Sequence, residues 1–224
     1  MDKQPLQITF DLWQKLDEKF RVVYKETAGN PDTGFKYLND WSIYTWEKLC
    51  AIQVAELKPT DTCIDISTGI GLLPAILERM GHVCDCTDNM VEEYNLDRQW
   101  QYAEFEQMRE VLGIRPVHLN LNTESDNFEW PTLPFTRKYD VMFCTRPVFE
   151  RIWNSEQEGF CDFIEWCWQY ADRVVVVWNY KWDGKSNKYI VRWFRQFMPK
   201  LQPSTSCVCV YDKYRHKDIL RRRI

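Results

Sequence analysis

Between Thr62 and Asp88 the chain presents a fixed succession of local signals, and that succession constrains its fold more than any other feature. Thr62–Ser67 (TCIDIS) is short, with Cys63, Ile64 and Ile66 apolar, and reads as a strand. Gly69 and Gly71 follow in a tight turn, and Leu72–Met80 then reads as an apolar helix closed by Gly81 as its C-terminal cap. His82–Thr87 (HVCDCT) is a second strand, with the acid Asp88 at its end. Strand, turn, helix and strand in this order make a βαβ unit, whose two strands must run parallel.

The rest of the chain extends the alternation. A long helical stretch runs to about Leu112, and strands are expected at Pro116–Leu121, Tyr139–Cys144, Arg173–Asn179 and Ser206–Tyr211. Helices are expected at Gly159–Ala171 and Ser186–Phe197. The unbroken Val174–Val177 run suits a strand covered on both faces. Two helices precede the first strand. Residues 8–27 set Phe10, Leu12, Trp13, Leu16, Phe20, Val23 and Tyr24 near helical spacing, and Ala28–Asp32 stops them. Asp40–Leu57 carries apolar Trp41, Tyr44, Leu49, Ile52 and Ala55. The expected fold is α/β, a doubly wound and mostly parallel sheet with an N-terminal helical extension. One domain is expected: residues 1–58 form the extension, 59–211 the α/β core and 212–224 a basic tail. The connection 122–138 reads as a surface loop or a lid over the site.

Composition excludes some classes. No apolar run approaches the roughly 20 residues that span a bilayer, and no signal-type segment follows Met1, so a cytoplasmic protein is expected. The nine cysteines are odd in number, and Cys84/Cys86 and Cys207/Cys209 show strand alternation rather than metal-ligand spacing. They read as buried reduced thiols, with no metal site. Net charge is −4, but residues 178–224 hold 12 Lys/Arg against 3 Asp/Glu, while the first 177 hold 17 against 30. An acidic body argues against broad nucleic-acid wrapping. The end of the chain, with Trp178, Trp182, Arg192, Trp193, Arg195 and Arg221–Arg223, leaves contact with nucleic acid open beside the plainer reading of a solvated tail.

The chemistry belongs to Cys63–Pro74. Two glycines let the backbone pass close under a ligand at the carboxyl end of a strand, where open α/β sheets bind their ligands. A carboxylate at Asp88 can accept both hydroxyl hydrogen bonds of a ribose. A dinucleotide fits less well. Its fingerprint wants Gly or Ala where this chain has Pro74, and Asp65 would repel a pyrophosphate yet attract an ammonium. The competing structural reading is a βαβ turn that uses glycine for geometry alone, with Asp88 as a helix cap.

Asp65-Ile-Ser-Thr-Gly-Ile-Gly-Leu-Leu-Pro74, followed by Met80-Gly-His-Val-Cys-Asp-Cys-Thr-Asp88, resembles the first two motifs of class I S-adenosylmethionine-dependent methyltransferases. The resemblance is close over about residues 62–90 and looser to about 211. It implies a Rossmann-like fold and S-adenosylmethionine as cofactor. The implied cofactor contacts are Asp65, Ser67, Thr68, Gly69, Gly71, Asp88, Asn89 and Asn122. Among these, Asp65 would engage the methionine amino group, Asp88 the ribose, and Asn122 the adenine edge. Ser67 departs from the pattern, which usually has its first glycine there, and Asn122 stands where an acid is common.

Methyl transfer is an in-line displacement that leaves little fixed signature, so no catalytic residue is assigned. The Asn/Asp-Pro-Pro-aromatic run of base amino-methyltransferases is replaced here by Cys144-Thr-Arg-Pro-Val-Phe149. Arg146, Asn179 and Tyr180 are candidate acceptor contacts by position alone. Trp41 and Tyr44 could cover a sulfonium by cation–π contact, against the plainer reading as core. His82, His118 and His216 have no evident partners. The functional expectation is methyl transfer from S-adenosylmethionine to an unidentified acceptor; the alternative is a non-catalytic binding or structural protein on the same fold.

Overall fold

The computed structural model describes residues 4–26, 34–38, 41–89, 99–121, 130–145, 156–179 and 206–215. Helix α1 spans Pro5–Glu26, a 3₁₀ turn Gly34–Leu38, and α2 Trp41–Ala55. Strand β1 (Thr62–Ile66), α3 (Leu72–Arg79) and β2 (Val83–Asp88) form the expected unit. Then come α4 (Gln99–Leu112), β3 (Val117–His118), β4 (Tyr139–Thr145), α5 (Glu156–Tyr170), β5 (Ala171–Asn179) and β6 (Ser206–Asp212).

The six strands form one sheet in the order β3-β2-β1-β4-β5-β6. Every pairing is parallel except β5 with β6. That order reverses between β1 and β4, as a doubly wound nucleotide-binding sheet does. In open α/β sheets ligands bind beyond the carboxyl ends of the strands at such a switch point.

Period-two alternation divides the strands between two cores. On one face Cys63, Cys84, Cys86, Val141, Phe143, Val175, Val177 and Val208 meet the 3₁₀ turn and helices α1 to α4. On the other, Ile64, Ile66, Met142, Cys144, Val174, Val176 and Tyr211 meet Phe163, Ile164, Trp166 and Cys167 of α5. Val174–Val177 are fully buried, as a strand covered on both faces requires. In α1, Leu12, Leu16 and Phe20 recur every four residues on the buried side, and Trp13 Nε1 donates to Thr45 Oγ1 of α2 at 2.6 Å.

Two sequence expectations change. The strand expected at Pro116–Leu121 contracts to two paired residues, because it lies at the sheet edge and Pro116 has no N–H to give. Helix α2 buries Ile52 and Ala55 of its expected stripe, but Trp41 at its start is exposed, and Thr45, Glu47 and Lys48 are inside as well. Within 122–138, residues 130–138 follow the surface-loop alternative. Trp166 Nε1 donates to Pro131 O at 2.8 Å, and the N–H of buried Leu133 donates to Tyr170 Oη at 3.3 Å, so this stretch is packed onto α5. Residues 122–129 lie outside the described residues, as does the expected helix 186–197.

The cysteines whose side chains are described are buried, as read. Cys50, Cys63, Cys84, Cys86, Cys144, Cys161 and Cys167 are buried free thiols. Burial pushes the Cys63 and Cys86 thiols up to about 12, so they stay protonated and inert. Among the described residues no helix is long and apolar enough to cross a membrane, and no group of three metal-ligating side chains forms.

Candidate functional site

The turn after β1 is built from left-handed backbone. Ser67, Gly69 and Gly71 have φ of 58°, 59° and 80°. Glycine adopts such angles without cost, whereas an L side chain is strained by roughly 1–2 kcal/mol. The position of the missing first glycine is thus the one where Ser67 carries that strain. Gly71 is needed twice over, since a Cβ there would stand 2.9 Å from Ile114 Cγ2. Ile114 reaches that point because α4 ends in a Schellman cap. Gly113 N–H bonds Glu110 O, and Ile114 N–H bonds Arg109 O. The same cap ends α3, where Gly81 N–H bonds Glu78 O and His82 N–H bonds Leu77 O, as the sequence predicted.

Asp65, near the carboxyl end of β1, is wholly buried on the face of α2 and α4. Its Oδ2 accepts from Thr68 Oγ1 at 2.6 Å, while Oδ1 is buried without a hydrogen-bond partner. Burial lifts this carboxyl to about 6 from 3.8; Lys48 and the Thr68 hydroxyl oppose the rise, and Asp88 adds to it. Lys48 of α2 donates through Nζ to Thr145 Oγ1 at the end of β4.

Asp88 closes the other side. Its Oδ2 accepts from Gly69 N–H at 2.6 Å and lies 2.9 Å from Arg109 Nη2 of α4. Arg109 Nε in turn donates to Gly69 O at 2.6 Å. One guanidinium and one carboxylate thus grip the two ends of the Gly69 residue and hold the turn in place. Burial raises the Asp88 carboxyl, against the pull of Arg109 and the backbone donors of Gly69 and Asn89. Thr68 N–H also bonds Thr87 O at 2.9 Å, tying the turn to β2. Asn89 Oδ1 and Thr87 Oγ1 are buried without partners.

Of the eight expected contacts, Asp65, Ser67, Thr68, Gly69, Gly71, Asp88 and Asn89 are thereby brought to one edge of the sheet. Asn122 lies outside the described residues, as do Arg146, Tyr180, Trp182, Arg192, Trp193, Arg195, His216 and Arg221–Arg223. Asn179 ends β5, and its side chain is not among those described. Trp41 does not face the turn; it lines an apolar groove of about 220 Å³ with Phe10, Trp13 and Leu38. Tyr44 packs at a tilt against Tyr37 with ring centroids 4.4 Å apart, and Tyr37 meets Phe105 edge-on at 5.6 Å. His82 Nδ1 lies 3.3 Å from Asp61 O, away from the site, and His118 is exposed on β3.

Sequence reasoning passed over Lys48 and Arg109, though a signal existed for both. Phe105, Met108 and Leu112 form a helical apolar stripe with Arg109 inside it, and Tyr44, Ile52 and Ala55 do the same around Lys48. A cation within an apolar stripe must find a buried partner, so it points to a polar site.

No protein-family model matches the sequence, and no curated protein sequence matches it. Solved structures of related shape include the ribosomal protein L11 methylase from Lactobacillus delbrueckii subsp. bulgaricus, with 15% identity over 75% of this chain and 78% of that one and a TM-score of 0.44. Thermoplasma acidophilum 1320 has 12% identity over 93% and 98%, with a TM-score of 0.48. A TehB-like SAM-dependent methyltransferase from Corynebacterium glutamicum has 15% identity over 82% and 100%, with a TM-score of 0.43. The fold is a class I methyltransferase-like α/β fold, and the strand order and its switch point carry that assignment.

Proposed function

We propose that the chain binds S-adenosylmethionine at the carboxyl edge of the sheet and transfers its methyl group to an acceptor. One observation carries this reading: the buried, partnerless Oδ1 of Asp65 beneath the glycine turn. An orphaned carboxylate oxygen in a protein interior is costly unless a charged donor arrives, and an ammonium is such a donor. A pyrophosphate would be repelled from the same spot, which disfavours a dinucleotide.

When bound, S-adenosylmethionine supplies a methyl group on a sulfonium, ready for in-line displacement. Asp65 receives the amino group of the methionine end, and Thr68 Oγ1 holds the carboxylate in orientation through Oδ2. Gly69 and Gly71 keep the backbone close, and Asp88 accepts from the ribose. Since Gly69 N–H and Arg109 both use Asp88 Oδ2, the ribose contact falls to Oδ1, and one hydroxyl rather than two is bound there. Ser67 and Asn89 border the same edge, and Asn122 is kept as the adenine contact. The chain's part in transfer is to position the cofactor and exclude water.

Calorimetric titration of S-adenosylmethionine and S-adenosylhomocysteine tests this, with NAD as control. Wild type should bind both in the micromolar range, Asp65→Asn and Asp88→Ala should lose that binding, and NAD should give no heat. A folded wild type that binds neither sulfur ligand sinks the proposal. Binding without transfer of labelled methyl to any acceptor would instead favour the non-catalytic binding protein.

A further inference from the structure

The N-terminal extension holds a groove that the cofactor reading does not use. Phe10, Trp13, Asp17 and Arg21 follow at helical spacing along one side of α1, and Leu38 and Trp41 face them. Trp13 and Leu38 are buried and make the floor, while Phe10 and Trp41, 52% and 38% exposed, make the rims. The indole N–H of Trp13 is already given to Thr45 Oγ1. The groove encloses about 220 Å³, less than the roughly 300–1,000 Å³ of sites for drug-sized ligands, so it suits a small group. Three aromatic rings bordering one small space can hold a cation through their quadrupoles.

Asp17 supplies a counter-charge at the end of this space. Arg21 Nε and Nη2 both close on Asp17 Oδ1, which leaves Oδ2 for a further cation. Helical side chains lean toward the N-terminus, so Asp17 reaches toward Trp13, and Arg21 approaches it from the next turn. We propose that this groove binds a quaternary ammonium group of the kind choline carries, over Phe10, Trp13 and Trp41, with Asp17 as counter-ion. An unmethylated ammonium would set N–H donors against the side chains of Trp13 and Leu38, which accept none. A quaternary ammonium has no N–H to satisfy and lays apolar methyl groups on that floor. The cation–π role expected of Trp41 is thereby kept, for a cation other than the sulfonium of the cofactor.

The test uses the full chain and three probes followed by NMR titration: choline, ethanolamine and 3,3-dimethyl-1-butanol, the neutral carbon isostere of choline. Choline should bind in the millimolar range, and the other two at least about tenfold more weakly. Trp41→Leu keeps apolar bulk without the ring; it should weaken choline about fivefold and leave the isostere within about twofold. Asp17→Asn should weaken choline and Arg21→Gln strengthen it, each about two- to fivefold. All three substitutions fall at partly exposed positions, and thermal melts matching wild type show that the fold is kept. No binding of choline, equal affinity for the isostere or for ethanolamine, or full retention in Trp41→Leu would each overturn the proposal. Displacement of choline by S-adenosylhomocysteine would overturn it as well, by placing the cation in the cofactor site.

Discussion

At the scale of single residues, the site holds groups whose burial is costly. Asp65 is the clearest. Its carboxyl titrates near 6 in the folded chain against 3.8 in water, so between those values the native state holds the proton more tightly than the unfolded one. Its contribution to stability is fully present below about pH 4 and is lost as pH rises through 6. Asp65→Asn should therefore match wild type near pH 4 and exceed it by about 1–3 kcal/mol at pH 7, read by urea unfolding across that range. A variant no more stable at pH 7 than at pH 4, relative to wild type, would contradict the burial argument. Affinity for an ammonium ligand should move the opposite way, rising from pH 5 to 7 as the carboxylate ionises. Ser67 and Gly71 make a second pair. Ser67→Gly should add about 0.5–1 kcal/mol by relieving a left-handed φ, less the entropy glycine brings. Gly71→Ala should cost more than Gly69→Ala, because only Gly71 has Ile114 against the new methyl. Thermal melts of the three variants order these effects.

At the scale of elements, α4 is the strut that holds the turn. Its C-terminal cap places Ile114 under Gly71, and its inward face sends Arg109 to both Asp88 and Gly69 O. Arg109→Met should destabilise the chain by about 3–5 kcal/mol, since it leaves Asp88 buried without its counter-charge. Adding Asp88→Asn should recover a large part of that loss; a double-mutant cycle on unfolding free energies measures the coupling. Strictly additive losses would mean that the ion pair does not organise the loop. Helix α2 has a parallel task, bringing Lys48 to the carboxyl edge while its last turn meets the opposite edge. There Ala55 O accepts from Arg173, whose Nη2 pairs with Asp61 at 2.5 Å.

For the molecule as a whole, stability is concentrated where both faces of the sheet are covered. Val176→Ala, at the middle of β5, should cost about 2–3 kcal/mol and lower Tm by about 4–12 °C for a chain of this size. Val83→Ala, at the half-exposed start of β2, should change stability by less than about 0.5 kcal/mol. Scanning calorimetry of the two variants compares them directly. Similar losses at both positions would mean that burial in the sheet is not the main source of stability.

Much of the fold was legible in the linear chain because strands, turns and caps depend on near neighbours. The β1–turn–α3–β2 unit, the Gly81 cap, the Val174–Val177 run and the reduced cysteines follow from period, glycine placement and composition, which are local properties. The glycine turn and the acid at the end of β2 were legible for the same reason. What depended on distant residues was not. Asp88 turned out to hold the turn itself, because Arg109 arrives from a helix whose rotation only packing sets. Lys48 came to Thr145, 97 residues away, because α2 crosses the sheet at one particular angle. The burial of Glu47 and Lys48 beside Ile52 and Ala55, with Trp41 and Trp46 exposed, has the same origin: packing sets which face of α2 turns inward. Local sequence determined the elements and the turn; tertiary packing decided which charges meet around it, since electrostatic partners are chosen by distance in space and not along the chain.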